Sequence, residues 1–104
     1  MTMNIKKEFN RTVITIDALS LTGDAAKEFK EKASDIIDSG ELKLCLEFHN
    51  TNFLDSSGIG KLLFLNKKLN KLNGEFEIIK INKDLYSFLD SLAITKVIKI
   101  AKPQ

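Results

Sequence analysis

The 104-residue chain holds one cysteine, one histidine and one arginine, and each scarcity removes a class of function. With Cys45 alone, no internal disulfide can form. Cys45 and His49 together cannot furnish a zinc site of the usual Cys/His types, so no metal is expected. A surface whose only arginine is Arg11 is poorly equipped for base readout or bidentate phosphate capture. No apolar stretch is long enough to span a bilayer. Residues 1–7 lack the apolar core of a secretory signal, which makes the cytoplasm the expected location. The acids show no spacing that marks a paired-carboxylate site. Gly58 and Gly60 fit neither the Walker A pattern nor the dinucleotide fingerprint, because Lys61 stands in the wrong place and the glycines are too few. No cofactor is expected.

What remains is an ordinary globular composition, 43% hydrophobic and 29% charged, at a length that suits one domain. Sixteen basic and fourteen acidic residues are scattered along the chain, for a formal charge of +2. That balance gives no electrostatic case for direct nucleic-acid binding. Cys45 lies in an apolar run, where a thiol serves as a small buried hydrophobe with nothing nearby to lower its pKa.

Residues 3–8 and 11–16 read as strands around a turn at Asn10, an opening hairpin. Leu19 to Asp24 reads as a loop ending in helix-start chemistry, with Thr22 as N-cap and Asp24 in the first turn. Ala26, Phe29, Ala33, Ile36 and Ile37 recur at helical spacing, and Ser39-Gly40 stops that helix. Residues 42–48 form a strand, 49–52 a polar loop, and Phe53-Leu54 returns the chain to the core. A second helix spans residues 56–72, closed by Asn73-Gly74. Its Asn66 to Lys71 stretch reads as a wet face in preference to a basic binding patch. Phe64 and Leu65 are open between partner contact and ordinary core. A strand over 75–81 follows, then a short helix over 83–92 with Leu85, Phe88, Leu89 and Leu92 inward. Residues 96–100 alternate as an edge strand, and 101–104 form a frayed tail. The order β-β-α-β-α-β-α-β predicts a single α/β domain with a mixed sheet, largely parallel after the hairpin.

One turn stands out. Asp55-Ser56-Ser57-Gly58 joins a buried strand to the second helix, where unpaired N–H groups and the helix dipole favour an anion. Plain capping by Asp55 or Ser56 accounts for part of it. The glycines at 58 and 60 weaken a helix start, by up to about 1 kcal/mol each. They permit either tight packing on the sheet or close approach by another molecule. A hydrolase pairing His49 with Ser56 or Ser57 is the remote catalytic alternative, and no enzyme activity is expected.

Phe53-Leu54-Asp55-Ser56-Ser57-Gly58-Ile59-Gly60 resembles the signature of the STAS domain, specifically of bacterial anti-sigma factor antagonists. The preceding strand, the Leu72-Asn73-Gly74-Glu75 turn and the final helix and strand extend the likeness over the whole chain. The resemblance implies phosphorylation of Ser56 by a partner that is both anti-sigma factor and serine kinase. The unmodified protein would bind that partner and free a sigma factor for transcription. A serine phosphatase would restore binding after phosphorylation ends it. Asp55, Ser57, Gly58, Ile59 and Gly60 are the implied partner-binding residues, and a monomer is expected. The chain departs from the family at Asp17-Ala18-Leu19-Ser20, which lacks the usual Gly-x-Leu-Asp element. The alternative within the family is an accessory docking subunit of a stressosome-like or lipid-transport complex, without serine phosphorylation.

Overall fold

β1 (Thr2–Lys7) and β2 (Thr12–Asp17) make the opening hairpin, closed where the Glu8 N–H donates to the Arg11 carbonyl at 2.8 Å. The Arg11 guanidinium also bonds the Glu8 carboxylate at 2.6 Å and holds it below its usual pKa. The computed structural model describes residues 1–103. After β2 come β3 (Ser20–Leu21), α1 (Gly23–Asp38), β4 (Lys43–His49), β5 (Phe53–Leu54) and α2 (Ser56–Lys71). β6 (Glu75–Lys80), α3 (Lys83–Ser91), a 3₁₀ turn (Ile94–Lys96) and β7 (Lys99–Ile100) complete the chain.

The main sheet runs β1-β2-β4-β6-β7, antiparallel at β1 and parallel elsewhere. Each parallel crossover steps the same way along the sheet, and the common right hand of such crossovers puts the helices on one face. One core results. Ile14 and Ile16 of β2, Leu44 and Leu46 of β4 and Ile78 of β6 pack with Phe29 of α1, Leu62 and Leu65 of α2 and Leu85 of α3. Cys45, of opposite parity in β4, is still fully buried, with an Arg11 guanidinium nitrogen 3.8 Å from its sulfur. Burial pushes the thiol pKa up, and the guanidinium offsets only part of that. The thiol is a protonated, inert filler.

The predicted mixed α/β order holds, with several local corrections. Thr22 is the N-cap of α1 by position, but its hydroxyl makes no capping bond. Residues 96–100 do not form one strand. Ala93 adopts a left-handed φ of 60°, the 3₁₀ turn follows, and only Lys99 and Ile100 pair with β6. Asn66 is buried and donates to the Val97 carbonyl at 3.3 Å, so it is not part of a wet face. Lys68 bridges to α1 through Ser34 at 2.6 Å and Asp38 at 2.8 Å. Leu65 belongs to the core, whereas Phe64 is partly exposed beneath the Lys30 ammonium. Leu85 and Leu89 point inward from α3, while Phe88 and Leu92 face outward. The predicted frayed tail begins with a bond, Ala101 N–H to the Ile78 carbonyl at 2.9 Å, and Gln104 lies outside the described residues.

Candidate functional site

The site begins with two residues that the sequence presents as loop. Ser20-Leu21 and Phe53-Leu54 pair as a separate two-stranded parallel sheet, Ser20 with Phe53 and Leu21 with Leu54. Leu21 and Leu54 are fully buried and anchor both segments. The chain therefore leaves Leu54 in a fixed direction, and Asp55 follows at the edge of the core. Its backbone is extended, and its Oδ1 accepts the Gly58 N–H at 2.8 Å while its carbonyl accepts the Ile59 N–H at 3.0 Å. Asp55, and not Ser56, is the cap.

That choice leaves Ser56 free. It is the first residue of α2 and exposed, and no hydrogen bond engages its hydroxyl among the described residues. Two orphan amides of the first turn, on Ser56 and Ser57, stay available beside it. Ser57 and Ile59 are half-buried, and Gly60 is exposed with open space around it. Gly58 is buried, and a Cβ there would lie 2.3 Å from the Leu21 carbonyl oxygen. The close approach that Gly58 permits is to its own chain. Of the two glycines, only Gly60 presents bare backbone outward.

Large apolar side chains flank the turn. Leu19, just before β3, is 72% exposed, and Phe53 of β5 is 52% exposed. Leu19 sits in the segment that departs from the family pattern, and its carbonyl is pinned by the Asn52 N–H at 2.9 Å. The Thr51 hydroxyl holds the neighbouring Ala18 carbonyl at 2.6 Å.

Asn82, which the sequence did not single out, ties this assembly from below. Its amide donates to the Thr51 carbonyl at 2.8 Å and to Asn52 Oδ1 at 2.9 Å, and its own oxygen caps α3 by accepting the Leu85 N–H at 2.7 Å. The readable signal was an Asn before a helical pattern; the contacts with residues 51 and 52 leave no local trace. Loss of the cap costs about 1 kcal/mol. The lost bonds to the loop add about as much again. Asn82→Ala should therefore lower the unfolding free energy by about 2 kcal/mol in urea titration. Asp55→Ala should cost about 1 kcal/mol through the cap alone, and Asp55→Asn, which keeps an acceptor, far less. Equal losses in both Asp55 variants would show that charge and not capping holds the turn.

His49 ends β4, exposed and in register with Asp17. Among the described residues no hydrogen bond joins it to Ser56 or Ser57. No group of three His, Cys, Asp or Glu among those residues could hold a metal ion. Among the described residues no helix is long and apolar enough to cross a membrane.

The STAS domain family model matches residues 2–103. The chain belongs to the STAS domain family. Solved structures similar to it include an anti-sigma factor antagonist from Mycobacterium paratuberculosis, with a TM-score of 0.81 and 15% identity, over 95% of this chain and 83% of that one. The anti-sigma factor antagonist SpoIIAA in its unphosphorylated form matches at TM-score 0.79 and 18% identity, over 97% and 89% of the two chains. The phosphorylated form of SpoIIAA, a Bacillus cell fate determinant, matches at 0.74 and 18%, over 97% and 92%. At these identities the likeness establishes a shared fold. In this STAS domain the Asp55 turn adjoins the small β3–β5 sheet, Asn82 ties the Thr51-Asn52 loop that leads into that sheet, and Ser56 is exposed at the start of α2.

Proposed function

We propose that this STAS domain is an anti-sigma factor antagonist, a binding module switched by phosphorylation of Ser56. The observation that carries the reading is the division of labour at the start of α2. Asp55 does the capping, which leaves an exposed serine hydroxyl with no structural duty at the positive end of a helix. Similarity to SpoIIAA, a protein solved in both unphosphorylated and phosphorylated forms, supports it.

The partner is an anti-sigma factor with serine kinase activity, docked over Leu19, Phe53, Ser57, Ile59 and Gly60. Asp55 and Gly58 shape this surface, Gly58 from inside. Binding there sequesters the kinase and frees its sigma factor. Phosphate adds about −1.5 to −2 charges next to the Asp55 carboxylate, which a docked apolar surface could not accommodate. A serine phosphatase resets the switch.

Intact mass after incubation with the anti-sigma kinase and ATP tests this. One phosphate is expected on the wild type and none on Ser56→Ala, with Ser57→Ala still modified. No mass gain, or a gain that survives Ser56→Ala, defeats the proposal. In that case the exposed Leu19 and Phe53 favour the other reading, a docking subunit that is never phosphorylated.

A further inference from the structure

α2 carries four lysines, Lys61, Lys67, Lys68 and Lys71, and no acidic residue. Its C-terminal half borders an open groove of about 450 Å³ on the α1 side, lined by Phe64, Lys67, Lys68, Lys71, Leu72 and Asp38. Lys68 fixes the α1 wall: its ammonium reaches both Ser34 and Asp38, and so offsets the one carboxylate of the groove. Lys30 of α1 adds a cation above the Phe64 ring, 4.3 Å from its centroid. Lys67 and Lys71 are exposed, and no carboxylate among the described residues pairs with either. A chain of formal charge +2 thus gathers four lysines against one carboxylate around a single groove. That concentration calls for an acidic occupant.

The shape of the groove says which kind. Phe64 and Leu72 are 42% and 46% exposed and stand eight residues apart, about 12 Å along the helix axis. Apolar residues two turns apart on a second helix match that separation. Lys67 and Lys71 lie one turn apart beside them and suit carboxylates at the same spacing. The same two lysines border a second groove, lined in part by Leu63 and Val97, so they form the ridge between two troughs. A flat bilayer would rest on that ridge and leave the apolar troughs unfilled, whereas a face that lies on a membrane buries its apolar side chains. A helix fits within one trough. We propose that the groove docks an amphipathic helix of a partner protein, with its apolar stripe on Phe64 and Leu72 and its carboxylates against Lys67 and Lys71. Lys67 lies about 16 Å along α2 from Ser56, and docking there is independent of the state of that serine.

The probe is a helical peptide of about 16 residues, leucines at spacings of three and four flanked by glutamates, titrated into the isotope-labelled full chain and followed by NMR. Amide shifts should centre on α1 and on α2 from Phe64 to Leu72, and binding should weaken as salt rises. Lys67→Gln combined with Lys71→Gln should weaken binding about tenfold or more, and Phe64→Ala should do the same. All three side chains lie outside the core, so these variants keep the fold. Ser56→Asp should bind the peptide as the wild type does. A peptide with glutamine for every glutamate should bind about tenfold or more weakly. No shift in α2, shifts centred elsewhere, loss of binding in Ser56→Asp, or equal affinity for the glutamine peptide overturns the proposal. Phosphatidylglycerol vesicles that bind through Lys67 and Lys71 when the peptide does not would put a membrane there instead. Self-association of the chain that the double lysine variant abolishes would put a second copy there, and either result overturns the partner helix.

Discussion

Gly58→Ala is expected to destabilise this STAS domain by about 2 kcal/mol, even though alanine is the better helix former. The added methyl would meet the Leu21 carbonyl oxygen at 2.3 Å and the Leu54 side chain at 3.4 Å. Neither neighbour can yield cheaply, since Leu21 and Leu54 are paired with each other in the small sheet and fully buried. Overpacking of this kind costs about 3 kcal/mol at its upper end, and helix propensity returns about 1 kcal/mol. For a domain of this size the net loss lowers the melting temperature by roughly 8–16 °C. Gly60→Ala, two residues on, meets nothing within 4 Å. It should therefore raise stability by up to about 1 kcal/mol. Thermal unfolding of the two variants side by side decides the matter: the same substitution should have opposite signs. A Gly58→Ala protein as stable as the wild type would refute the close-packing account of that glycine.

The contrast between these glycines shows what was legible in the sequence and what was not. Local periodicity gave the three helices and four of the main strands, because apolar spacing and stop residues such as Gly40 act within a few positions. Both glycines advertised a weak helix start, but only the Leu21 carbonyl distinguishes them, and Leu21 is far away in sequence. The β3–β5 pair was illegible for the same reason. Two-residue strands carry no alternation, and their partner is set by tertiary closure. Asn66 and Lys68 looked solvated within their polar stretch, yet one contacts Val97 and the other α1. Phe88 fell at the inward spacing of α3 but lies outside the core that Leu85 and Leu89 fill. The Asp55-Ser56-Ser57-Gly58 turn was readable as a site because its chemistry is contiguous. The surface around it, built from Leu19, Phe53 and the Asn82 tether, was not.

Placing a phosphate on Ser56 is expected to weaken kinase binding about a thousandfold, an effect of about 4 kcal/mol. The free protein should hardly change, because an anion on the first helical residue gains from the dipole and the nearby orphan amides. Repulsion from the Asp55 carboxylate offsets part of that gain. In the complex the same dianion would be pressed against apolar surface next to Leu19 and Phe53, with water excluded and no counter-charge required of the partner. Calorimetric titration of the anti-sigma kinase with unmodified protein, phosphoprotein and Ser56→Asp should therefore give strong, very weak and intermediate binding. Ser56→Ala should bind as the wild type does and resist switching. Unfolding free energies of all four forms should agree within about 1 kcal/mol. If the phosphoprotein instead lost binding and stability together, the switch would be a refolding event and the local electrostatic mechanism would fail. If Ser56→Asp bound with undiminished affinity, negative charge would not be the operative element. The bulk of the phosphate against the bare backbone at Gly60 would then have to account for release.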